Sequence, residues 1–102
     1  MITIPKATMV EMTPVESVNL SDSVKPRRTI IFAWKEGEYE RSLAATAWGE
    51  KCKKFEYLMN RECMVTFTCT VREREGRFYN NITLHDVLPV LEEGSVVEEA
   101  VF

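Results

Sequence analysis

Ten consecutive residues alternate in character. From Cys63 to Arg72 the odd positions are Cys63, Val65, Phe67, Cys69 and Val71, and the even ones run from Met64 through Thr66, Thr68 and Thr70 to Arg72. Successive side chains of a strand point to opposite faces, so this period of two predicts a half-buried strand with one apolar and one polar side. Arg27–Lys35 is β-branched and aromatic, Gly37 lies in a short turn, and Tyr39–Trp48 follows, which reads as a hairpin. After the turn Arg74-Glu75-Gly76, Arg77–Val87 forms a further strand that Pro89 ends. An earlier strand is expected from Lys6 to about Val18, bent at Pro14, and the polar segment Asn19–Pro26 reads as a loop.

One helix interrupts the strands. Glu50–Met59 sets Cys52, Phe55 and Met59 on one face and pairs Glu50 with Lys54, four residues apart, on the outside. The order strand, loop, strand, turn, strand, helix, strand, turn, strand is that of an OB-fold. The expected architecture is therefore all-β, a small five-stranded barrel with one short helix between its third and fourth strands. Small α+β sheets and SH3-like barrels also satisfy the pattern. With 102 residues, 45% of them hydrophobic, the chain can build one core and not two. The expected division is an OB-fold domain over residues 1–90 and an acidic tail over residues 91–102. There is no run of about 18 apolar residues to span a membrane. Met1-Ile2-Thr3-Ile4-Pro5-Lys6 lacks the charged start and long apolar stretch of a signal peptide, so a cytoplasmic protein is expected.

Charge is uneven. All 13 Lys and Arg residues precede position 91, whereas four of the 16 acids, Glu92, Glu93, Glu98 and Glu99, follow it. The body thus carries 13 − 12 = +1 and the tail −4, within a net charge of −3. A mildly basic body with an acidic end fits polyanion binding with a competing tail, and also ordinary surface charge. Cys52, Cys63 and Cys69 form neither a CxxC nor a Cys/His cluster and read as reduced packing residues. His85 has no Ser or Cys nucleophile placed with it, and there is no Gly-rich phosphate loop or HExxH motif. Glu36, Glu38 and Glu40 share one side of an extended segment and read as a solvated edge rather than a cation site. No catalytic residue, metal site or cofactor is expected.

The stretch from Arg27 to Val90 resembles the short bacterial and phage single-stranded-DNA-binding-like OB-fold proteins. The resemblance rests on Ala47-Trp48-Gly49-Glu50-Lys51, Val65-Thr66-Phe67, and Val71 to Tyr79 across the last hairpin. The chain departs from that family at Ala44, Ala45 and Ala47, where bulkier residues are usual, and at Asn60-Arg61-Glu62, where a Gly-Asp-type turn normally stands. The resemblance implies binding of single-stranded DNA without strong sequence preference, a homo-oligomer (dimer or tetramer), and docking of replication and repair proteins through an acidic C-terminal tip. The alternative is an OB-fold module for oligomerisation or protein interaction without significant nucleic-acid binding.

Sequence-tolerant binding of a single strand needs cations that track phosphates and exposed aromatic faces on which bases stack. Trp34 with Lys35, and Trp48 beside the helix lysines, stand where the resembling proteins stack bases. Arg72, Arg74 and Arg77 with Phe78 and Tyr79 interleave cations and π-faces, and alternation puts Arg72 and Arg74 on the face of Thr66, Thr68 and Thr70. Arg41, with Arg27 and Arg28, adds phosphate candidates. Such contacts do not read a 2′-hydroxyl, so RNA fits as well as DNA. In the tail, Glu98, Glu99 and Phe102 are the expected partner-docking residues: an aromatic beside a free carboxylate can fill an apolar pocket ringed by basic residues.

Overall fold

The computed structural model describes residues 1–90. The alternating stretch lies within a 13-residue strand, and the element order is β1 (Ile2–Met12), β2 (Glu16–Leu20), β3 (Ser23–Glu36), β4 (Tyr39–Trp48), α1 (Lys51–Lys54), β5 (Glu62–Arg74) and β6 (Arg77–Pro89). Strands β1, β5, β6, β4 and β3 are neighbours in that order, and β1 also pairs with β3, which closes a five-stranded barrel. Every contact is antiparallel except β4–β6, a parallel bridge at Thr46↔Thr83. Counting barrel strands alone, α1 lies between the third and fourth, as the sequence order predicts.

Three local expectations are corrected. Residues 19–26 are not a loop: β2 and the start of β3 form a tight hairpin, in register from Glu16↔Arg27 to Leu20↔Ser23. This hairpin stands outside the barrel with most of its residues exposed, so no core imposes an apolar period of two on its sequence. Pro14, read as a bend, separates two strands. The helix is also shorter than its apolar spacing implied. After Lys54 the chain tightens into a 3-10 turn, Glu56–Leu58, so Leu58 rather than Met59 completes the buried row of Cys52 and Phe55. Three residues per turn bring positions three apart into line. Glu50 meets Lys54 through the backbone, its carbonyl accepting the Lys54 N–H at 3.1 Å.

The core fills the barrel with Met9, Ile30, Phe32, Val65, Leu84 and Val87, and Phe55 and Leu58 pack into it from the helical segment. Each large side chain buried this way stabilises the fold by about 1.5–3 kcal/mol. Arg28 fastens the helical segment: its Nη1 donates to the Cys52 carbonyl at 2.8 Å and to Glu56 Oε2 at 3.0 Å, while its side chain is only 12% exposed.

Two hairpins project from the barrel. Both β3 and β5 run antiparallel to β1. The β2–β3 hairpin at the start of β3 and the β5–β6 hairpin at the end of β5 therefore leave from opposite ends. Every residue from Cys69 to Asn81 is exposed, and the molecule extends 53 × 34 × 22 Å. The β5–β6 arm turns through Glu75 and Gly76, both with positive φ (52° and 79°), the geometry of a two-residue hairpin loop whose twist matches its strands. No helix among the described residues is long and apolar enough to cross a membrane.

Candidate functional site

The β3–β4 ribbon sorts its residues by register. Ile30↔Ala45 and Phe32↔Leu43 face the core, so Arg27, Thr29, Ile31, Ala33 and Lys35 on β3, with Glu40, Ser42, Ala44, Thr46 and Trp48 on β4, face outward. Trp34, opposite Arg41, belongs to the inner face, and Trp48, opposite Arg27, to the outer one. Seven residues of β3 separate their ladder positions, about 23 Å. The two tryptophans therefore do not share a groove.

Trp34 is half-buried at the rim of the barrel, packed against the core. Its indole N–H donates to Glu36 Oε1 at 3.3 Å, and Glu36 Oε2 lies 3.5 Å from Arg41 Nε, so one carboxylate orients both. The Arg41 guanidinium also lies 5.4 Å from the centre of the Tyr39 ring. Here β1 parts from β3: their pairing begins at Thr8↔Ala33, and Ile2–Ala7 pairs with β5 alone. The parting opens a cleft of about 810 Å³ with Lys6, Thr8 and Glu62 on one side and Trp34, Lys35, Glu40, Arg41 and Ser42 on the other. Three sequence-selected residues, Trp34, Lys35 and Arg41, thus converge. Lys6 and Ser42 escaped selection, because the register of β1 against β3 is set by a bulge between Met9 and Glu11 that no local signal marks.

At the far end of the ribbon Trp48 is half-buried on the outer face. The Arg27 guanidinium lies 5.7 Å from its ring centre and is anchored by Glu16, at 2.6 Å from Nη2 and 2.8 Å from Nε. One face of the indole is thus already stacked on a cation.

The β5–β6 arm divides its residues differently from their order in the sequence. The pairs Arg72↔Tyr79 and Arg74↔Arg77 share the face of Thr68 and Thr70, whereas Phe78 lies opposite Glu73 on the other face with Val71 and Cys69. The five residues singled out in the sequence are therefore a set of three arginines plus Tyr79, with Phe78 behind them. Among the described residues Arg72, Arg74 and Arg77 have no carboxylate within ion-pairing distance, unlike Lys6, Arg27, Arg28 and Arg41. Arg72, Arg74 and Tyr79, with Glu73, line a second hollow of about 430 Å³.

The cleft and the arm lie on strands that meet at the β4–β6 bridge. Thr8↔Ala33, Ala33↔Ser42 and Tyr79↔Arg72 are direct pairs, and Ser42 and Tyr79 each precede the Thr46↔Thr83 bridge by four residues. On the barrel the outward row runs Thr8, Ala33, Ser42, and on the arm Tyr79 stands beside Arg72 and Arg77 beside Arg74, with β4 and β6 bridged at Thr46↔Thr83. Lys6 and Arg41 at the cleft are ion-paired with Glu62 and Glu36 and Lys35 stands opposite Glu40, whereas the arm arginines are unpaired among the described residues.

Cys52 and Cys63 are buried, and burial pushes both thiols up from their ordinary range, so they stay protonated and pack as small apolar groups. Cys69 is exposed on the arm. His85 is the extra residue of a β6 bulge opposite Thr66 and Phe67. Neighbouring Asp86 accepts the Val87 N–H at 2.9 Å. Among the described residues no group of three or more His, Cys, Asp or Glu could hold a metal ion. Glu98, Glu99 and Phe102 lie outside the described residues.

No protein-family model matches the chain, and no curated protein matches it.

Proposed function

We propose that this chain is a non-catalytic single-stranded-DNA-binding protein of OB-fold architecture, acting in replication, recombination or repair. The observation that carries the reading is the arm face that Arg72, Arg74 and Arg77, all exposed and free of carboxylate partners among the described residues, share with Tyr79. Unpaired arginines supply phosphate contacts, and an exposed aromatic face supplies sequence-tolerant stacking.

The test is a titration of fluorescent oligo(dT), about 30 nucleotides long, followed by anisotropy at about 50 and about 200 mM salt. Micromolar or tighter binding that weakens at the higher salt supports the reading, and no binding at the lower salt overturns it. A matched oligo(rU) titration decides between DNA and RNA.

A second reading, an OB module for assembly or protein docking, draws on the other face of the arm, where Val71 is 65% and Phe78 71% exposed.

A further inference from the structure

Strand β1 accompanies β5 only as far as Ile2↔Phe67. From Thr68 to Arg74 the edge of β5 that faces away from β6 therefore has no partner strand among the described residues. Seven residues of open edge on a two-stranded ribbon are a template for another strand. A two-stranded hairpin is marginal in water, whereas three or more strands with an apolar face are not. The β6 edge from Arg77 to Ile82 is likewise without a partner strand among the described residues, but it borders Tyr79 and Arg77 of the site already described, which leaves the β5 edge for pairing.

We infer that the partner for this edge is the same edge of a second copy of the chain, paired antiparallel about a two-fold axis at Val71. The sequence Thr68-Cys69-Thr70-Val71-Arg72-Glu73-Arg74 is self-complementary in that register. Val71 meets the partner's Val71, Arg72 meets the partner's Thr70, Glu73 the partner's Cys69, and Arg74 the partner's Thr68. No like charges stand directly opposite. Two-fold symmetry requires this kind of self-matching patch.

The dimer has two consequences. On one side the exposed Val71 and Phe78 of each copy join into a single apolar strip. On the other, the arginines and Tyr79 of both copies form one continuous cationic face. Across the diagonal, Arg72 approaches the partner's Arg72, so salt or a bound polyanion strengthens the dimer.

Sedimentation velocity and light scattering on the full chain test this pairing. The chain is expected to be dimeric at tens of micromolar. Val71→Lys places like charges on the axis and is expected to weaken dimerisation roughly tenfold or more. Its circular dichroism should be unchanged, and so should its urea midpoint at concentrations low enough that both proteins are monomeric, since Val71 is exposed in the monomer. In a Cys69→Ser background, Val71→Cys is expected to yield a disulfide-linked dimer on mild oxidation, and Arg74→Cys is not. A monomeric wild-type chain, or a dimer indifferent to Val71→Lys, overturns the proposal. It stands apart from the nucleic-acid reading: a monomer that binds oligo(dT) removes the dimer alone.

Discussion

Trp34 and Trp48 belong to one β-ribbon and point to opposite sides of it, Trp34 to the rim of the core and Trp48 to the outer surface. Trp34 is further held by Glu36 and Trp48 by the stacked Arg27 guanidinium. The aromatic face free to receive a base on the cation-rich arm is instead that of Tyr79, 51% exposed beside Arg72.

Tyr79→Ala is therefore expected to weaken oligo(dT) binding by about 1–3 kcal/mol, the worth of one stacked base. Phe78→Ala, one residue away on the opposite face, should change affinity less than about twofold. Anisotropy titrations of the two variants make the comparison. The reverse ranking would place the strand on the apolar side of the arm.

Arg72→Gln, Arg74→Gln and Arg77→Gln should each flatten the dependence of log K on log salt by about 0.7, the counterion release per phosphate contact of a single strand. Lys53→Gln, on the exposed side of α1, should leave the slope unchanged. Titrations at four or five salt concentrations give the slopes.

One thiol of three should react with a disulfide reagent in the native protein. Cys69 is exposed, whereas Cys52 and Cys63 are buried and their pKa values raised, which keeps the reactive thiolate scarce. Addition of urea should release the other two. Three fast thiols in native buffer would contradict the packing of α1 and β5.

Arg28→Met should cost about 1–3 kcal/mol in urea unfolding, because the Cys52 carbonyl and Glu56 both lose their donor. The same substitution should leave oligo(dT) affinity unchanged, since Arg28 lies on the core side of β3 opposite Ala47.

The barrel was legible in the sequence because its strands are each half-buried: a core on one side and water on the other write themselves as alternation, clearest in Cys63–Arg72. The β2–β3 hairpin carries no such record, since Asn19, Leu20, Val24 and Lys25 are all exposed. The helix length is not written in the sequence for a related reason: spacings of three and of four are both compatible with Cys52 and Phe55, and only packing selects Leu58 over Met59. At the site, parity along β5 correctly grouped Arg72 and Arg74 with the threonines. The separation of Phe78 from Tyr79 depends on which β6 residue faces Glu73, a property of the pairing across the turn. The cleft lies further from view, since β1 and the β3–β4 hairpin approach each other only once the barrel closes.

Photo-cross-linking with 5-iodouracil-substituted oligo(dT), mapped by mass spectrometry, addresses the interface most directly. Adducts on Tyr79 are the expected result and would set the strand on the arginine face of the arm. Adducts on Phe78 with none on Tyr79, or no adduct under conditions of stoichiometric mixing at low salt, would contradict it.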